Sequence, residues 1–117
     1  MPYLGEKICL RVLIENENGR EEKEAFLPME EGEYTSFFGQ SFEAHVLIEA
    51  IEEEAVTLEF LAIHPSSTQY DGKVQRLHRE ERFQCSFSHT ASEGTVETIF
   101  FLAVYQRKRK EIPCPNC

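Results

Sequence analysis

The sequence has no apolar run that approaches the roughly 20 residues needed to cross a lipid bilayer. Its first residues also lack a basic segment followed by an uninterrupted apolar stretch, so no secretory signal is expected. We therefore predict a cytoplasmic protein with no membrane span. The 117 residues, 41% of them hydrophobic and 28% charged, have the size and composition of one globular domain with its own core.

Motifs of the common enzyme classes are missing as well. The six glycines are scattered, so no phosphate-binding loop is present. There is no Gly-x-Ser-x-Gly turn, and the four histidines show none of the usual metal-binding spacings. The acidic runs at 30–31 and 52–54 lack the spacing of a calcium loop. These absences favour a non-catalytic protein, although a site built from distant residues leaves no spacing signature.

The net charge of −9 is distributed unevenly along the chain. Residues 1–72 carry 16 acidic and 4 basic residues, whereas residues 73–117 carry 5 and 8. An acidic surface repels the phosphate backbone, so we expect no nucleic-acid partner. The difference in charge between the two parts of the chain allows complementary patches on two molecules to associate, which favours a protein partner or a homo-oligomer. Uneven charge on solvent-facing strand positions is the simpler explanation.

Alternating apolar residues predict strands at the start of the chain. From Ile8 to Ile14 every second residue is apolar, which is the period of a strand. The following Asn18-Gly19 favours a hairpin with a type I′ turn. The return strand, Glu22 to Leu27, has few apolar residues and is followed by Pro28, as expected of an edge strand.

Two further strands are predicted near the other end of the chain. Phe83, Cys85 and Phe87 alternate with hydroxyl and amide side chains, which places Cys85 in the core. The run 95–105 is the longest strand, and both of its faces become apolar after Ile99. We therefore expect it at the centre of a sheet, with Phe100 and Leu102 covered.

The central region is less regular. Residues 28–41 are rich in Gly, Ser and Thr and predict a loop, in which Phe37 and Phe38 cap one end of the core. Tyr70-Asp71-Gly72-Lys73 predicts a tight turn, followed by a short strand from Val74 to Leu77.

The segment 42–62 fits two strands separated by three glutamates, but a short helix over 41–55 is also possible. We favour the strands because Val56 to Leu61 alternates and is rich in strand formers. The pattern as a whole predicts an all-β domain over 1–106, an antiparallel β-sandwich or flattened barrel of about seven strands. Residues 107–117 form a basic tail outside this domain.

The tail ends with Cys114-Pro115-Asn116-Cys117, which resembles the first half-site of a zinc ribbon over these four residues. Two thiolates do not complete a structural zinc site. The remaining ligands would come from a second chain, the more natural arrangement, or from a set of dispersed residues: Cys9, Cys85, His64, His78 and His89. The alternatives for Cys114 and Cys117 are a redox dithiol, a disulfide, or two thiols without a role.

The functional hypothesis from sequence is a non-catalytic binding or assembly module that self-associates or binds another protein. Two alternatives stay open. One is a metal-dependent protein or enzyme whose site combines dispersed residues, with His64, His78, His89 and Cys85 as candidates. The other is a structural subunit of a phage-like or other particle. Structural zinc at Cys114 and Cys117 is the one cofactor that the sequence suggests.

Overall fold

The computed structural model describes residues 6–64 and 70–106, which form eight β-strands and no helix. The strands are β1 (Lys7–Asn16), β2 (Gly19–Pro28), β3 (Tyr34–Phe38), β4 (Glu43–Ile51), β5 (Ala55–Ile63), β6 (Tyr70–His78), β7 (Arg82–Thr90) and β8 (Val96–Gln106). The predicted all-β class is confirmed, with eight strands where about seven were expected.

The strands form two antiparallel sheets of four, packed against each other as a β-sandwich. Sheet A has the order β2-β1-β8-β7, and sheet B has the order β3-β4-β5-β6. Sheet B is therefore a meander of consecutive strands. Sheet A instead joins two hairpins that are distant in sequence, through the pairing of β1 with β8. The predicted central position of the last strand is confirmed.

The core lies between the inner faces of the two sheets, where alternate side chains of each strand meet. Phe101 of β8 is at its centre. Its ring centroid lies 5.7 Å from that of Phe37, 5.6 Å from that of Phe60 and 6.2 Å from that of Phe87. Burying a side chain of this size stabilises the fold by about 1.5–3 kcal/mol before packing is counted, so Phe101 is an anchor that joins the sheets.

The prediction for the two faces of β8 was wrong in one respect. Its core face carries Ile99, Phe101 and Ala103, whereas Phe100 is 40% exposed and Leu102 is only partly covered. Both faces are apolar, so alternation alone does not identify the one that is buried. The pairing with β1 does, because β1 directs Val12 and Ile14 inward opposite Phe101 and Ile99.

Two predicted loops belong to strands instead. Residues 28–41 contain β3, which pairs with β4 in a regular antiparallel register. Phe37 is buried, as expected, but Phe38 points to the outside and is 63% exposed. The predicted tight turn over residues 70–73 lies in β6, which pairs with β5 along its whole length. A Cβ atom at Gly72 would make only ordinary contacts, 3.5 Å from Leu61 Cδ1 and 3.7 Å from the Phe60 carbonyl oxygen, so this strand position does not require glycine.

The structure also decides two further predictions, one for the segment 42–62 and one for the turn of the first hairpin. Residues 43–51 and 55–63 form β4 and β5, so the favoured pair of strands is confirmed and the helix over 41–55 is wrong. The first hairpin is present, but its turn is not type I′, because neither Glu17 nor Asn18 has a positive φ. Gly19 alone does, at 119°. The Asn16 side chain accepts a hydrogen bond from the Asn18 amide at 2.9 Å, which stabilises this turn.

Candidate binding surface

The outer face of sheet A exposes apolar side chains at its centre. Residues of β1 and β8 that do not face the core point to solvent, and the register places Leu13 opposite Phe100 and Arg11 opposite Leu102. A solvent-facing sheet surface is more commonly polar along such strands. Three of these four neighbouring positions are therefore apolar where the fold does not require it.

The edge strands of the same sheet flank this apolar centre. On the β2 side Glu24 pairs with Arg11 and Glu22 with Leu13; on the β7 side Gln84 pairs with Leu102 and Ser86 with Phe100. The eight residues line a shallow groove of about 760 Å³, which we call the sheet A groove. The β2 wall of the groove contains Glu22 and Glu24 with Lys23 between them, and the opposite wall is uncharged. Glu22 and Glu24 form no ion pair with another described residue.

The two cysteines of the sandwich are poorly suited to act as nucleophiles. Burial raises the pKa of the Cys85 thiol to about 11, and Cys85 lies in the core as predicted. Burial also raises the pKa of Cys9, whose Sγ donates a hydrogen bond to Gln106 Oε1 at 2.6 Å. The thiolate is the reactive form, and the raised pKa of each thiol disfavours it at neutral pH.

A buried carboxylate holds one end of the sandwich together. Glu97 Oε1 accepts hydrogen bonds from the backbone amide of Ser41 at 2.8 Å and from its hydroxyl at 2.9 Å. Glu97 Oε2 accepts one from the Gln40 amide at 2.8 Å and one from Asn16 Nδ2 at 2.9 Å. Burial by itself raises the pKa of a carboxyl group, but these hydrogen bonds outweigh it and hold the pKa of Glu97 below its ordinary value.

The residues around Glu97 indicate a structural role. A Cβ atom at Gly39 would collide with the Glu97 carboxylate, so this position of the β3–β4 turn requires glycine. Both carboxylate oxygens are already occupied by donors from the turn and from β1. Glu97 therefore ties β8 of sheet A to the β3–β4 turn of sheet B, and it has little capacity left for a ligand.

A second buried polar cluster lies at the opposite end of β8. The Tyr105 hydroxyl donates to Glu6 Oε2 at 2.7 Å, and the Arg79 guanidinium lies 3.0 Å from Glu6 Oε1. Burial, followed by the hydrogen bond to Glu6, raises the pKa of Tyr105. Arg79 lies in the β6–β7 connection, so the cluster joins that connection to the β1–β8 pair. Its contacts are internal, and they too indicate a structural role.

The structure brings together only some of the residues proposed for a dispersed metal site. His64 and His89 meet at one end of the sandwich, with ring centroids 4.9 Å apart, and His64 stacks on Phe42. His78 pairs with Ala55 at the other end, and Cys85 lies within the core between them. Residues 6–64 and 70–106 contain no group of three His, Cys, Asp or Glu side chains that could hold a metal ion.

One polar pair was not anticipated from the sequence. Ser36 Oγ and His45 Nδ1 lie 2.6 Å apart on the outer face of sheet B, where β3 and β4 pair. The His45 side chain is therefore largely covered, although it lies on the outer face of the sheet. His45 Nε2 lies 3.6 Å from the Glu43 carboxylate, which is too long for a hydrogen bond. The feature that could have revealed this pair is the turn at residues 39–42. A hairpin closed by that turn places Ser36 opposite His45.

Cys114 and Cys117 lie outside the described residues, as does the basic block at 107–110. Comparison with protein-family models, with curated protein sequences and with solved structures gives no match. Among the described residues there is no helix long and apolar enough to cross a membrane. The surfaces of the sandwich are therefore the available guide to function.

Proposed function

We propose that the chain is a non-catalytic protein-binding module and that the sheet A groove is its binding surface. The observation that carries this proposal is the exposed Phe100, with the half-buried Leu13 and Leu102 beside it, at the centre of a sheet face. Exposed apolar patches with a polar rim are typical of protein interaction sites. Folding does not require these side chains, because the core is complete on the other face of the same strands.

The charges of the groove define the chemistry of the partner. Glu22 and Glu24 line the β2 wall, and Gln84 and Ser86 line the β7 wall. A complementary partner segment has apolar side chains along its middle and Lys or Arg on the side that faces β2. The acidic chain as a whole, with its net charge of −9, attracts such a segment over a longer range.

Selection from a displayed peptide library tests this proposal. The purified protein is expected to enrich apolar peptides flanked by Lys or Arg. Phe100→Ser is expected to weaken their binding by about tenfold or more, since a central apolar contact dominates such interfaces. The matched control is Leu61→Ser on the outer face of sheet B, which leaves the groove intact and should leave affinity unchanged.

A charge reversal sharpens the test. The double variant Glu22→Lys/Glu24→Lys is expected to reject the basic peptides and to select acidic ones. Thermal unfolding verifies that each variant is folded. Glu22, Glu24 and Phe100 are exposed, so we expect their substitution to preserve the fold. Failure to enrich any peptide, or equal binding by wild type and Phe100→Ser, would show that the groove is not a binding surface.

A further inference from the structure

The edge of sheet B formed by β3 differs from the other sheet edges in the described part of the chain. The edge strands are β2 and β7 in sheet A, and β3 and β6 in sheet B. Natural proteins protect edge strands with charged residues or proline, because an open edge pairs with other chains. β2, β6 and β7 all contain charged residues, but β3 reads Tyr-Thr-Ser-Phe-Phe and contains neither charge nor proline.

The backbone of β3 directs hydrogen-bonding groups away from the sheet. The Ile48 amide donates to the Glu33 carbonyl at 2.8 Å, and the Gly39 amide donates to the Phe42 carbonyl at 2.9 Å. These two bonds bracket β3 and fix its alternation. Thr35 and Phe37 therefore bond to β4, whereas the amides and carbonyls of three residues point to the open edge: Tyr34, Ser36 and Phe38.

The outward groups have no backbone partner among the described residues. The side chains at the same positions lie on the outer face of sheet B, where Tyr34 is 66% exposed and Phe38 is 63% exposed. The close contact of Ser36 with His45 agrees with this assignment, because side chains approach most closely at pairs without backbone hydrogen bonds. The edge thus offers three pairs of backbone groups together with two uncovered aromatic rings.

We propose that a second copy of this chain occupies the β3 edge, with the two β3 strands antiparallel and a twofold axis at Ser36. In this register Ser36 lies opposite the partner's Ser36, and Tyr34 lies opposite the partner's Phe38. All of the outward amides and carbonyls of both strands then meet in hydrogen-bonded pairs. The two Tyr–Phe pairs lie side by side on the outer face, and aromatic cross-strand pairs stabilise sheets.

The sequence around β3 is compatible with this symmetric pairing. Continuing the register by one residue past each end of β3 places Glu33 opposite the partner's Gly39, and β3 itself carries no charge. No two carboxylates lie directly opposite each other, which is the arrangement that would oppose association. A register shifted by one residue is excluded, because it aligns Ser36 with the partner's Thr35 or Phe37, whose backbone groups already bond to β4.

The product is one continuous sheet of eight strands, with β3 and its symmetry mate at the centre. A twofold contact uses the same edge of both copies, so the assembly closes at two chains. Association is opposed by the net charge of −9 on each copy. Raising the ionic strength from low to physiological screens this repulsion, and the dimer is therefore stronger with salt.

Sedimentation velocity over a concentration series tests the dimer, with a metal chelator present so that zinc at Cys114 and Cys117 does not link two chains. The wild type is expected to pass from monomer to dimer as concentration rises. Ser36→Lys places two like charges opposite each other at the axis, and it is expected to raise the dissociation constant by about tenfold or more. Ser36→Ala removes the contact with His45 but keeps the backbone edge, so it is expected to dimerise like the wild type. Ser86→Lys on β7 is the control for added charge.

Disulfide trapping tests the register. Opposed residues of a hydrogen-bonded pair have Cα atoms about 5.5 Å apart, within the range that a disulfide spans. Ser36→Cys is therefore expected to form a covalent dimer under mild oxidation, with peptide mapping showing a bond between the two introduced thiols. Ser86→Cys is expected to give no such bond. Circular dichroism and thermal unfolding verify that every variant is folded.

Each of the following results would overturn the proposal. A wild type that stays monomeric at high concentration and physiological salt has no such dimer. A dimer that Ser36→Lys leaves intact uses a different surface, and oligomers larger than two contradict the closed symmetry and favour a particle subunit. A monomer that binds extended peptides at β3 shows that the edge serves another protein. None of these results depends on the sheet A groove.

Discussion

Replacing the buried carboxylate of Glu97 with an amide, Glu97→Gln, is the most informative single perturbation of the fold. The side chain keeps its size, so no cavity forms and the core packing is preserved. The change affects only the hydrogen bonds that connect β8 with the β3–β4 turn and with Asn16. The variant therefore measures how much this one connection between the sheets contributes to the free energy of unfolding.

The size of the expected stability loss follows from the number of hydrogen-bond donors around the Glu97 carboxylate. Each oxygen of Glu97 accepts two hydrogen bonds, and glutamine retains one of the two oxygens. The other becomes an NH₂ group that faces two donors and can accept from neither. A hydrogen bond to a charged group contributes about 1.5–3 kcal/mol, and relaxation of the turn recovers part of this, so we expect a loss of about 2–4 kcal/mol.

The stability that Glu97 contributes depends on pH, and the sign of this dependence follows from its pKa shift. The pKa of Glu97 is lowered in the folded protein, so its contribution is complete above the unfolded pKa of about 4.3. It is lost as the pH falls through the folded pKa. The stability difference between wild type and Glu97→Gln is therefore constant from neutral pH down to about pH 5.5 and becomes smaller below about pH 4.

Urea unfolding followed by far-ultraviolet circular dichroism at several pH values measures both effects. The control is Glu49→Gln, which removes the charge of an exposed glutamate on β4 and is expected to change stability by no more than about 0.5 kcal/mol. If Glu97→Gln were as stable as this control at neutral pH, the carboxylate would not be the connection that the geometry indicates.

Two further predictions concern the core and the tail. Phe101→Ala should lose about 3–5 kcal/mol of stability because its ring contacts three others between the sheets, whereas Phe100→Ala on the same strand should lose less than about 1 kcal/mol. Equal losses in urea unfolding would contradict the assignment of the two faces. For the tail, we expect one zinc ion per two chains in native mass spectrometry of tag-free protein, and its loss in Cys114→Ser/Cys117→Ser. A metal-free wild type would contradict the zinc hypothesis.

The strands that the sequence predicted well are those with one apolar face and a clear turn beside them. β1 alternates without interruption from Ile8 to Ile14, and the hairpin that follows was recognised from Asn18-Gly19. β3 was missed because it has only five residues, and because the Gly, Ser and Thr around it are typical of loops. Its strand character comes from pairing with β4, which is a tertiary effect.

The polar connections and the candidate surface were harder to predict, because they depend on pairs that are distant in sequence. Glu97 and Ser41 lie 56 residues apart, and only the packing of the two sheets brings them together. Likewise, the exposure of Phe100 follows from the face that β1 presents to the core. The sequence alone leaves the two faces of β8 equivalent, so it does not distinguish the anchor Phe101 from the exposed Phe100.

The pairing of β1 with β8 also determines how the domain responds to a pulling force. Lys7 and Gln106 lie opposite each other, so the chain enters and leaves the sandwich at the same end. Hydrogen bonds of an antiparallel pair lie perpendicular to the strands. A force applied through both flanks therefore acts along these bonds and opens the β1–β8 ladder one bond at a time, rather than loading all of them in shear. Unfolding under such a force is therefore expected to begin at the β1–β8 pair.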